Sequence, residues 1–520
     1  MAQSSLRLPF PSQPQKPMPS VRHDGNWRTG LEPAMVPHRQ GTAEKRAAMS
    51  IADDRVSAAP QISGEPPVQQ PASWRARLSW AMFDWANQPY FTVITTFIFA
   101  PYFTSKVIGN PVDGQSLWGF TQAFSAVIVA LGAPFLGAIA DAGGQRKPWL
   151  FAFQFQLAFG CALLWLAQPG QPQLIPLVIL GLVLANIAAE YSIMFNNALL
   201  PSLETPRHVG RLSGLGWGMG YVGGLIALFG VLIVSQPELI GMMPPPGEAL
   251  LGLKRDAFEA ERIIGPAAAI WLSIFVMPMF LFTPDRPGSG KPFRTVVRDG
   301  IRRVIDTIRH MRRYKNLLRF LLSYMVYYDG LVAVIGFGGI YAAGVFGWGT
   351  TELGLFGIAL NVIAIPAVIF GGWLEDRWGS KRAVQLAICL VGVGTLGIMS
   401  IGHSSVLFVI EAAPKLAGAG LFSSAGEQVF FLCAAFLGLG MGTMQAASRT
   451  LVARLSPPDM VGEFFGIFAL SGRATTFLAP LLIGITTAVF ATQRIAPVVI
   501  LVFLALGFAL LWKVQEPARQ

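Results

Sequence analysis

The chain has 520 residues, of which 53% are apolar and 13% are charged, and its mean hydropathy is +0.52. A soluble globular protein carries about 25% charged residues. The composition therefore excludes an ordinary soluble protein and favours an integral membrane protein, because a lipid-facing surface cannot solvate ions. Cys161, Cys389 and Cys433 form no CxxC pair and the histidines form no i, i+4 pair, so we expect no metal site and no cofactor.

Residues 1–78 differ from the rest of the chain and are predicted to form a disordered cytoplasmic tail. They are rich in proline and in charged residues, and they contain no long apolar run. Because a secretory signal peptide requires an apolar core, we expect none here.

The remaining chain alternates apolar runs with short polar segments. A helix of about 20 residues crosses the ~30 Å hydrocarbon core of a bilayer, and lipid offers no hydrogen bonds to an isolated strand. The predicted spans are 80–105, 116–140, 148–167, 173–199, 211–235, 264–283, 317–345, 351–374, 382–401, 429–452, 463–489 and 494–513. We therefore predict an all-α integral membrane protein with twelve transmembrane helices, in two six-helix bundles at 79–283 and 317–513.

The positions of lysine and arginine predict the orientation of this bundle pair. With the N-terminus in the cytoplasm, most of the 39 basic residues fall in cytoplasmic loops, as the positive-inside rule requires. An even number of spans then places both termini in the cytoplasm, including a short tail at 514–520. This distribution accounts for the net charge of +11 without a nucleic-acid partner. We expect a multi-pass protein of the cell (inner) membrane.

The longest predicted cytoplasmic segment, 284–316, links the two bundles and is rich in arginine. Apolar residues recur in it at helical spacing, at Val297, Ile301, Val304, Ile308 and Met311. This pattern indicates an amphipathic helix whose basic residues at 291–315 would attract anionic membrane lipids. A plain tether between the bundles and a regulatory partner site remain alternative interpretations.

An internal repeat supports the two-bundle prediction. The pattern G-x-x-x-D-x-x-G-x-[RK]-[KR] follows the predicted second helix, at Gly137, Asp141, Gly144, Arg146 and Lys147. It recurs after the predicted eighth helix, at Gly372, Asp376, Gly379, Lys381 and Arg382. An aromatic residue followed by aspartate also occurs in the first predicted helix of each half, at Phe83-Asp84 and Tyr328-Asp329.

Two bundles with this repeated loop resemble the major facilitator superfamily, whose halves are related by an axis along the membrane normal. Glycine in the loop would let helix ends approach closely. Aspartate could cap the next helix or pair with arginine or lysine across the inner seam of the two halves. The resemblance implies that such contacts hold the outward-open state and that breaking them opens the inner side.

A narrower resemblance rests on five stretches: 80–87, 196–201, 210–218, 445–449 and 463–466. They look like the vacuole-effluxer-like branch, which unites bacterial proteins with the fungal autophagy-related vacuolar amino-acid effluxer. The resemblance covers about 79–513 and implies a secondary transporter of a small solute. Where relatives often have a Gly-Lys pair in helix eleven, this chain has Gly472-Arg473. Arginine keeps the charge but presents a planar fork of donors.

Charged side chains inside the predicted spans are the candidate transport residues, because each costs ~2.5–3.5 kcal/mol at the centre of a membrane helix. The charged candidates and their polar neighbours are Asp84, Asn87, Glu190, Asp329, Gln445, Arg449 and Arg473. The resemblance places their helices around a central cavity. A zwitterion could put its ammonium on Asp84 or Glu190 and its carboxylate on Arg473. Glu190 or Asp329 could carry a proton as the coupling ion.

Each candidate also has a structural interpretation. Asp84 and Asp329 could be locks paired with arginine or backbone groups, and Arg449 could extend to the membrane surface. Glu463 suits the N-terminus of the eleventh helix. Neither a nucleotide-binding loop nor a nucleophile–base pair is evident, so we expect a transporter and not an enzyme. A lipid or lysolipid translocator and a non-transporting membrane sensor remain alternatives.

Overall fold

The computed structural model describes residues 71–309, 311–346, 348, 350–402, 405–411, 422–476, 478–490 and 496–517. Of the tail predicted for residues 1–78, residues 1–70 lie outside these ranges. Residues Gln69–Gln520 form one compact unit. We call the described residues before the linker helix the first half and those after it the second half.

The first half consists of helices that run back and forth and of short irregular connections. Its α-helices are α1 (Trp74–Pro89), α2 (Phe99–Tyr102), α3 (Pro111–Gly143), α4 (Lys147–Leu163), α5 (Ile175–Leu203), α6 (Val209–Ser235), α7 (Glu259–Arg262), α8 (Ile264–Phe275) and α9 (Met277–Phe282). Two π-helical segments, Tyr90–Phe97 and Phe103–Val107, interrupt the first predicted span. The linker contains α10 (Phe293–Arg309).

The second half is also helical among its described residues. Its helices are α11 (Lys315–Phe346), α12 (Thr350–Trp378), α13 (Ser380–Met399), α14 (Ala425–Leu455), α15 (Val461–Ala474), α16 (Leu478–Phe490) and α17 (Ala496–Trp512). A small antiparallel hairpin, β1 (Ser405–Val406) and β2 (Ile410–Glu411), follows α13.

Nine runs among the described residues are long and apolar enough to cross a membrane. Large apolar side chains are exposed on their outer faces, among them Phe120, Leu131 and Phe155, which are each more than half exposed. Such a surface suits helices surrounded by lipid and not by water. The three other predicted spans coincide with helices interrupted or shortened in the structure, and the count of twelve stays a prediction.

Two predicted boundaries are wrong for identifiable reasons. The first helix begins at Trp74 and not at 80, because the Ser73 hydroxyl accepts a hydrogen bond from the Ala76 amide and Arg77 pairs with Glu204. The span predicted at 463–489 is two helices, since α15 ends at Ala474 and α16 begins at Leu478. An average of hydropathy along the chain detects neither paired polar side chains nor a break in a helix.

The linker helix α10 packs against the end of α3 and does not lie free. Val296 shares a small apolar cluster with Ile139 and Ala142, and a Cβ at Gly300 would lie 2.7 Å from Ile139. The predicted single apolar stripe is therefore two stripes. Val296, Gly300 and Val304 face the protein, whereas Ile301, Ile305 and Ile308 are 39–55% exposed.

Candidate functional site

The two halves meet at one end of the molecule, which we call the basic side and define by segments 141–147, 204–211, 284–316, 376–382 and 454–461. Helix α3 packs on α15, and α6 packs on α12. Glycines make these contacts close: a Cβ at Gly214 would lie 2.6 Å from the Val368 carbonyl, and one at Gly137 would collide with the Gly462 carbonyl. Larger side chains at these positions would separate the halves.

Asp141 binds the start of a helix in the opposite half. Its Oδ2 accepts a hydrogen bond of 2.9 Å from the Glu463 amide in the first turn of α15. Its Oδ1 lies 2.7 Å from Arg146, and both side chains are almost completely buried. The first amides of a helix lack partners within the helix, and a carboxylate there is also stabilised by the helix dipole. Asp141 therefore caps a helix, but not the next one along the chain.

Asp376 makes the matching contact from the second half. It accepts hydrogen bonds from the Gly210 amide at 2.8 Å and the Arg211 amide at 3.0 Å, in the first turn of α6. Arg454 lies 3.6 Å from its Oδ1. Gly372, one turn earlier, allows the approach, because a Cβ there would lie 2.7 Å from the Gly210 carbonyl. The repeated motif thus closes the basic side twice, once from each half.

The other motif residues organise the turns that follow. Gly144 and Gly379 have φ angles of +88° and +107°, a region that favours glycine. Lys147 donates to the Phe280 carbonyl at 2.9 Å, and Lys381 donates to the Trp512 carbonyl at 2.8 Å. In the sequence pattern, Lys147 of the first motif corresponds to Arg382 of the second. By these hydrogen bonds, Lys147 instead corresponds to Lys381. Arg382 is exposed.

Sequence reasoning missed two carboxylates that follow the last helix of each half. Asp285 accepts hydrogen bonds from the amides of Arg146 and Lys147, at the start of α4. Glu516 accepts them from the amides of Ser380 and Lys381, at the start of α13, and also pairs with Arg454 at 2.7 Å. The available signal was an acidic residue next to proline after the final apolar run of each half.

Arg449 forms a buried cluster across the seam between the halves. Its side chain is 4% exposed, and Nη1 lies 3.1 Å from Asp84 and 3.2 Å from Asn197. Its Nε donates to the Ser213 hydroxyl and its Nη2 to the Ser213 carbonyl. The guanidinium also lies over the Trp80 ring at 5.0 Å. Arg449 therefore does not extend to the membrane surface, and it is fully committed to groups of the first half.

Glu190 of α5 and Arg473 of α15 form a second ion pair between the halves. This pair is partly exposed, with 22% of the Glu190 side chain and 35% of the Arg473 side chain accessible. The Tyr324 and Tyr328 rings stack 4.9 Å apart beside it, and a Cβ at Gly472 would lie 3.1 Å from the Tyr324 hydroxyl. The pair is thus reachable from the space between the halves, unlike Arg449.

A short chain of hydrogen bonds lies near this pair in the first half. Tyr90 donates to the Asn186 side-chain oxygen at 2.6 Å, and Asn186 donates to Gln122. Asn186 lies one helical turn before Glu190 on α5, so these groups share a face. Asn186 and Tyr90 were not selected as candidate residues from the sequence.

The remaining candidates lie apart from the Glu190–Arg473 pair or make local contacts. Asn87 is buried inside the first half, where Gln154 of α4 donates a hydrogen bond to it at 3.1 Å. Gln445 is half-buried and donates to the Met441 carbonyl of its own helix. Asp329 is 1% exposed, its oxygens have no hydrogen-bond partner within 3.5 Å among the described residues, and Thr475 is its polar neighbour.

No group of three His, Cys, Asp or Glu side chains within the described ranges could hold a metal ion. The candidate residues of the helices thus include a buried charge cluster around Arg449, a partly exposed ion pair of Glu190 and Arg473, and the buried carboxyl of Asp329.

Comparison with known proteins decides the family. The family described as "Vacuole effluxer Atg22 like" matches residues 103–518. The chain belongs to this branch of the major facilitator superfamily of transporters. The family expected from the sequence is therefore confirmed, and its known members are transporters and not enzymes.

Curated relatives of this Atg22-like transporter are distant. The uncharacterized MFS-type transporter YxiO of Bacillus subtilis is 25% identical over 84% of this chain and 94% of its own length. Autophagy-related protein 22-1 of Neosartorya fischeri is 24% identical over 59% of this chain, which spans about half (49%) of that protein. A probable nitrate/nitrite antiporter, NarK1 of Thermus thermophilus, is 26% identical over 81% of this chain and 89% of its own length.

Solved structures show the fold. The transporter FucP in its outward conformation has a TM-score of 0.58 at 15% identity, covering 85% of this chain and 99% of FucP. The proton:xylose symporter XylE has a TM-score of 0.58 at 15% identity, covering 85% and 95% of the two chains. The Atg22-like chain is thus a mostly helical, multi-pass membrane protein with the major facilitator fold.

The contacts of Asp141 generate a stability prediction. Asp141→Asn removes the counter-ion of the fully buried Arg146, and an uncompensated buried charge costs about 3–5 kcal/mol. We expect the free energy of unfolding in detergent, measured by denaturant titration, to fall by about this amount.

Asp299→Asn is the matched control, because Asp299 pairs with Lys291 on the exposed side of α10. We expect it to leave the unfolding midpoint unchanged. Equal effects of the two substitutions would contradict the role given to Asp141.

Proposed function

We propose that the chain is a secondary active transporter of a small organic zwitterion, most simply an amino acid, working by alternating access. The observation that carries this proposal is the partly exposed ion pair of Glu190 and Arg473, one from each half. A solute with an ammonium and a carboxylate can take the place of each residue's partner: the ammonium replaces the guanidinium of Arg473 beside Glu190, and the carboxylate replaces Glu190 beside Arg473. Its ammonium would bind Glu190, and its carboxylate would bind the forked guanidinium of Arg473.

This exchange has a physical advantage over binding at a single charge. Neither protein charge is left without a partner when the solute enters, so the cost of an unpaired charge inside the membrane is avoided. Because the two groups belong to different halves, a bound zwitterion would also link the halves, which alternating access requires.

The buried cluster around Arg449 is assigned to the seal and not to the solute. Its guanidinium donates to Asp84, Asn197 and Ser213, so no donor group is left for a ligand without breaking the seam. Asp84 shares this role as the counter-ion of Arg449. We therefore propose that both residues act as structural locks between the halves.

An inorganic anion is a less suitable substrate. The Thermus relative is named for nitrate and nitrite, and such an anion needs a cation that is free to bind it. Arg473 and Arg449 each face a carboxylate, so an anion would leave Glu190 or Asp84 uncompensated. A zwitterion matches the charges on both sides.

Asp329 is the group we propose as the proton carrier. It is buried in α11 beside the break between α15 and α16, and within the part of the chain that the structure describes neither oxygen has a hydrogen-bond partner. Glu190 was the alternative, but its charge is balanced by Arg473. A carboxyl that lacks a counter-ion within a membrane helix is a characteristic proton site in transporters.

We further propose that the basic side faces the cytoplasm of a cell (inner) membrane, as the distribution of lysine and arginine predicts. The seal then lies on the cytoplasmic side, and solute efflux begins when it opens. The exposed Ile301, Ile305 and Ile308 of α10, with the basic residues of 291–315, would rest on anionic lipid.

A ligand screen tests the solute class. Purified protein is heated with amino acids, their decarboxylated amines, their N-acetyl derivatives, sugars and lysolipids. We expect raised unfolding temperatures with amino acids alone, since only they carry both charges. Stabilisation by lysolipids alone would favour a lipid translocator, and no ligand response together with no flux in liposomes would favour a membrane sensor.

Single and double neutralisation of the pair test its role. Glu190→Gln and Arg473→Gln should each weaken binding of the stabilising amino acid at least about tenfold, because one charge-assisted contact is lost. The double variant Glu190→Gln/Arg473→Gln has no unpaired charge, so we expect it to fold stably and still not to bind. Binding is measured by calorimetry on the purified protein.

Arg319→Gln is the control for this series, because Arg319 is an exposed arginine at the start of α11. It should bind as the unmodified protein does. If the double variant regained binding and transport, the pair would be a structural lock and the solute site would lie elsewhere.

Flux measurements in liposomes test the coupling. We expect a pH gradient to drive accumulation of the amino acid, and Asp329→Asn to abolish this accumulation while exchange of labelled for unlabelled solute continues. Flux that ignores the gradient in the unmodified protein would remove proton coupling and leave solute binding intact.

A further inference from the structure

A pocket opens on the basic side of the second half, where α12 and α17 end and α13 begins. Its volume is about 570 Å³, and its walls include Trp378, Lys381, Arg382, Gln385, Trp512 and Glu516. It is formed within one half, and none of these residues is a candidate for binding the transported solute. Its function is therefore a separate question.

The charges of the pocket favour an anion. Glu516 is already neutralised, since it binds Arg454 and the amides of Ser380 and Lys381. Lys381 uses its ammonium on the Trp512 carbonyl. Arg382 is exposed and forms no ion pair with a carboxylate of the described chain. One uncommitted guanidinium therefore faces the pocket.

The tryptophans place the pocket at the membrane surface. Trp378 and Trp512 are the last residues of the apolar helices α12 and α17, and they are 48% and 67% exposed. Exposed tryptophan at the end of a membrane helix is typical of the boundary between hydrocarbon and headgroups. Arg382 thus lies at the level where lipid phosphates are found.

The first half provides an internal comparison. Its corresponding hydrogen bonds join Lys147 to the Phe280 carbonyl and Asp285 to the start of α4. By this correspondence Phe280 matches Trp512, and Pro148 stands where the second half has Arg382. The first half therefore builds the same framework without the arginine or the terminal tryptophan. Those side chains are not needed for the turn itself.

We propose that this pocket binds the phosphate of an anionic phospholipid on the basic side, with Arg382 as its phosphate ligand and the two tryptophans against the glycerol and upper acyl chains. Guanidinium groups suit phosphate oxygens because they donate two parallel hydrogen bonds. A free phosphate would gain nothing from the flanking rings, whereas a lipid uses both features. The site is distinct from the linker helix α10.

Photochemical cross-linking tests the proposal on the full-length protein in detergent micelles. A phosphatidylglycerol with a photoreactive group on its upper acyl chain is added, and labelled peptides are identified by mass spectrometry. We expect label in 378–385 and 508–517, competed by unlabelled phosphatidylglycerol but neither by phosphatidylcholine nor by glycerol 3-phosphate. Competition by glycerol 3-phosphate equal to that by the lipid would assign the pocket to a soluble phosphate and overturn the proposal.

Variants at Arg382 complete the test. Arg382→Gln should raise the lipid concentration for half-maximal labelling about fivefold, as expected for one arginine near the membrane surface, and Arg382→Lys should recover most of the loss. Arg302→Gln in α10 is the matched control and should not change labelling of the pocket. Unchanged labelling in Arg382→Gln, or label confined to 293–309, would overturn the proposal.

Discussion

The structure depends on two carboxylates that each cap a helix belonging to the opposite half. Asp141 binds the first turn of α15, and Asp376 binds the first turn of α6. Both contacts are buried, so separating the halves would leave the amides of Glu463, Gly210 and Arg211 without partners, which is costly away from water. Water can replace these bonds only if it enters the whole seam. The basic side is therefore expected to open as a unit and not residue by residue.

That seal gives the two ion pairs between the halves different chemistry. The cluster of Asp84 and Arg449 lies within the closed seam, where every arginine donor group is occupied. Glu190 and Arg473 lie where the halves no longer exclude solvent, so both remain partly exposed. Two ion pairs that each join an acidic side chain to an arginine can thus serve opposite purposes. One holds the halves together, and the other offers a site whose partners a solute can replace.

The sequence predicted the helical membrane fold, the repeated motif and the charged candidates, because hydropathy and spacing are local properties. It could not predict that Asp141 and Asp376 cap helices of the opposite half, since that depends on how the halves meet. It also could not predict that Gln154 of α4 donates a hydrogen bond to Asn87 of α1, since that contact depends on how the helices pack. Asp285 and Glu516 were missed because their partners lie 139 and 136 positions away in the chain.

The linker helix α10 adds an asymmetry to this seal. It is held to α3 by close backbone contact at Gly300, and its contacts with the second half among the described residues include Arg303 on the Asp459 carbonyl at 3.4 Å and Thr307 beside Glu463. When α3 and α15 separate, α10 should therefore stay with α3. Glu463, completely buried beside Thr307 of α10, would then gain water. Burying that carboxyl costs free energy in the closed state, and opening would recover this cost.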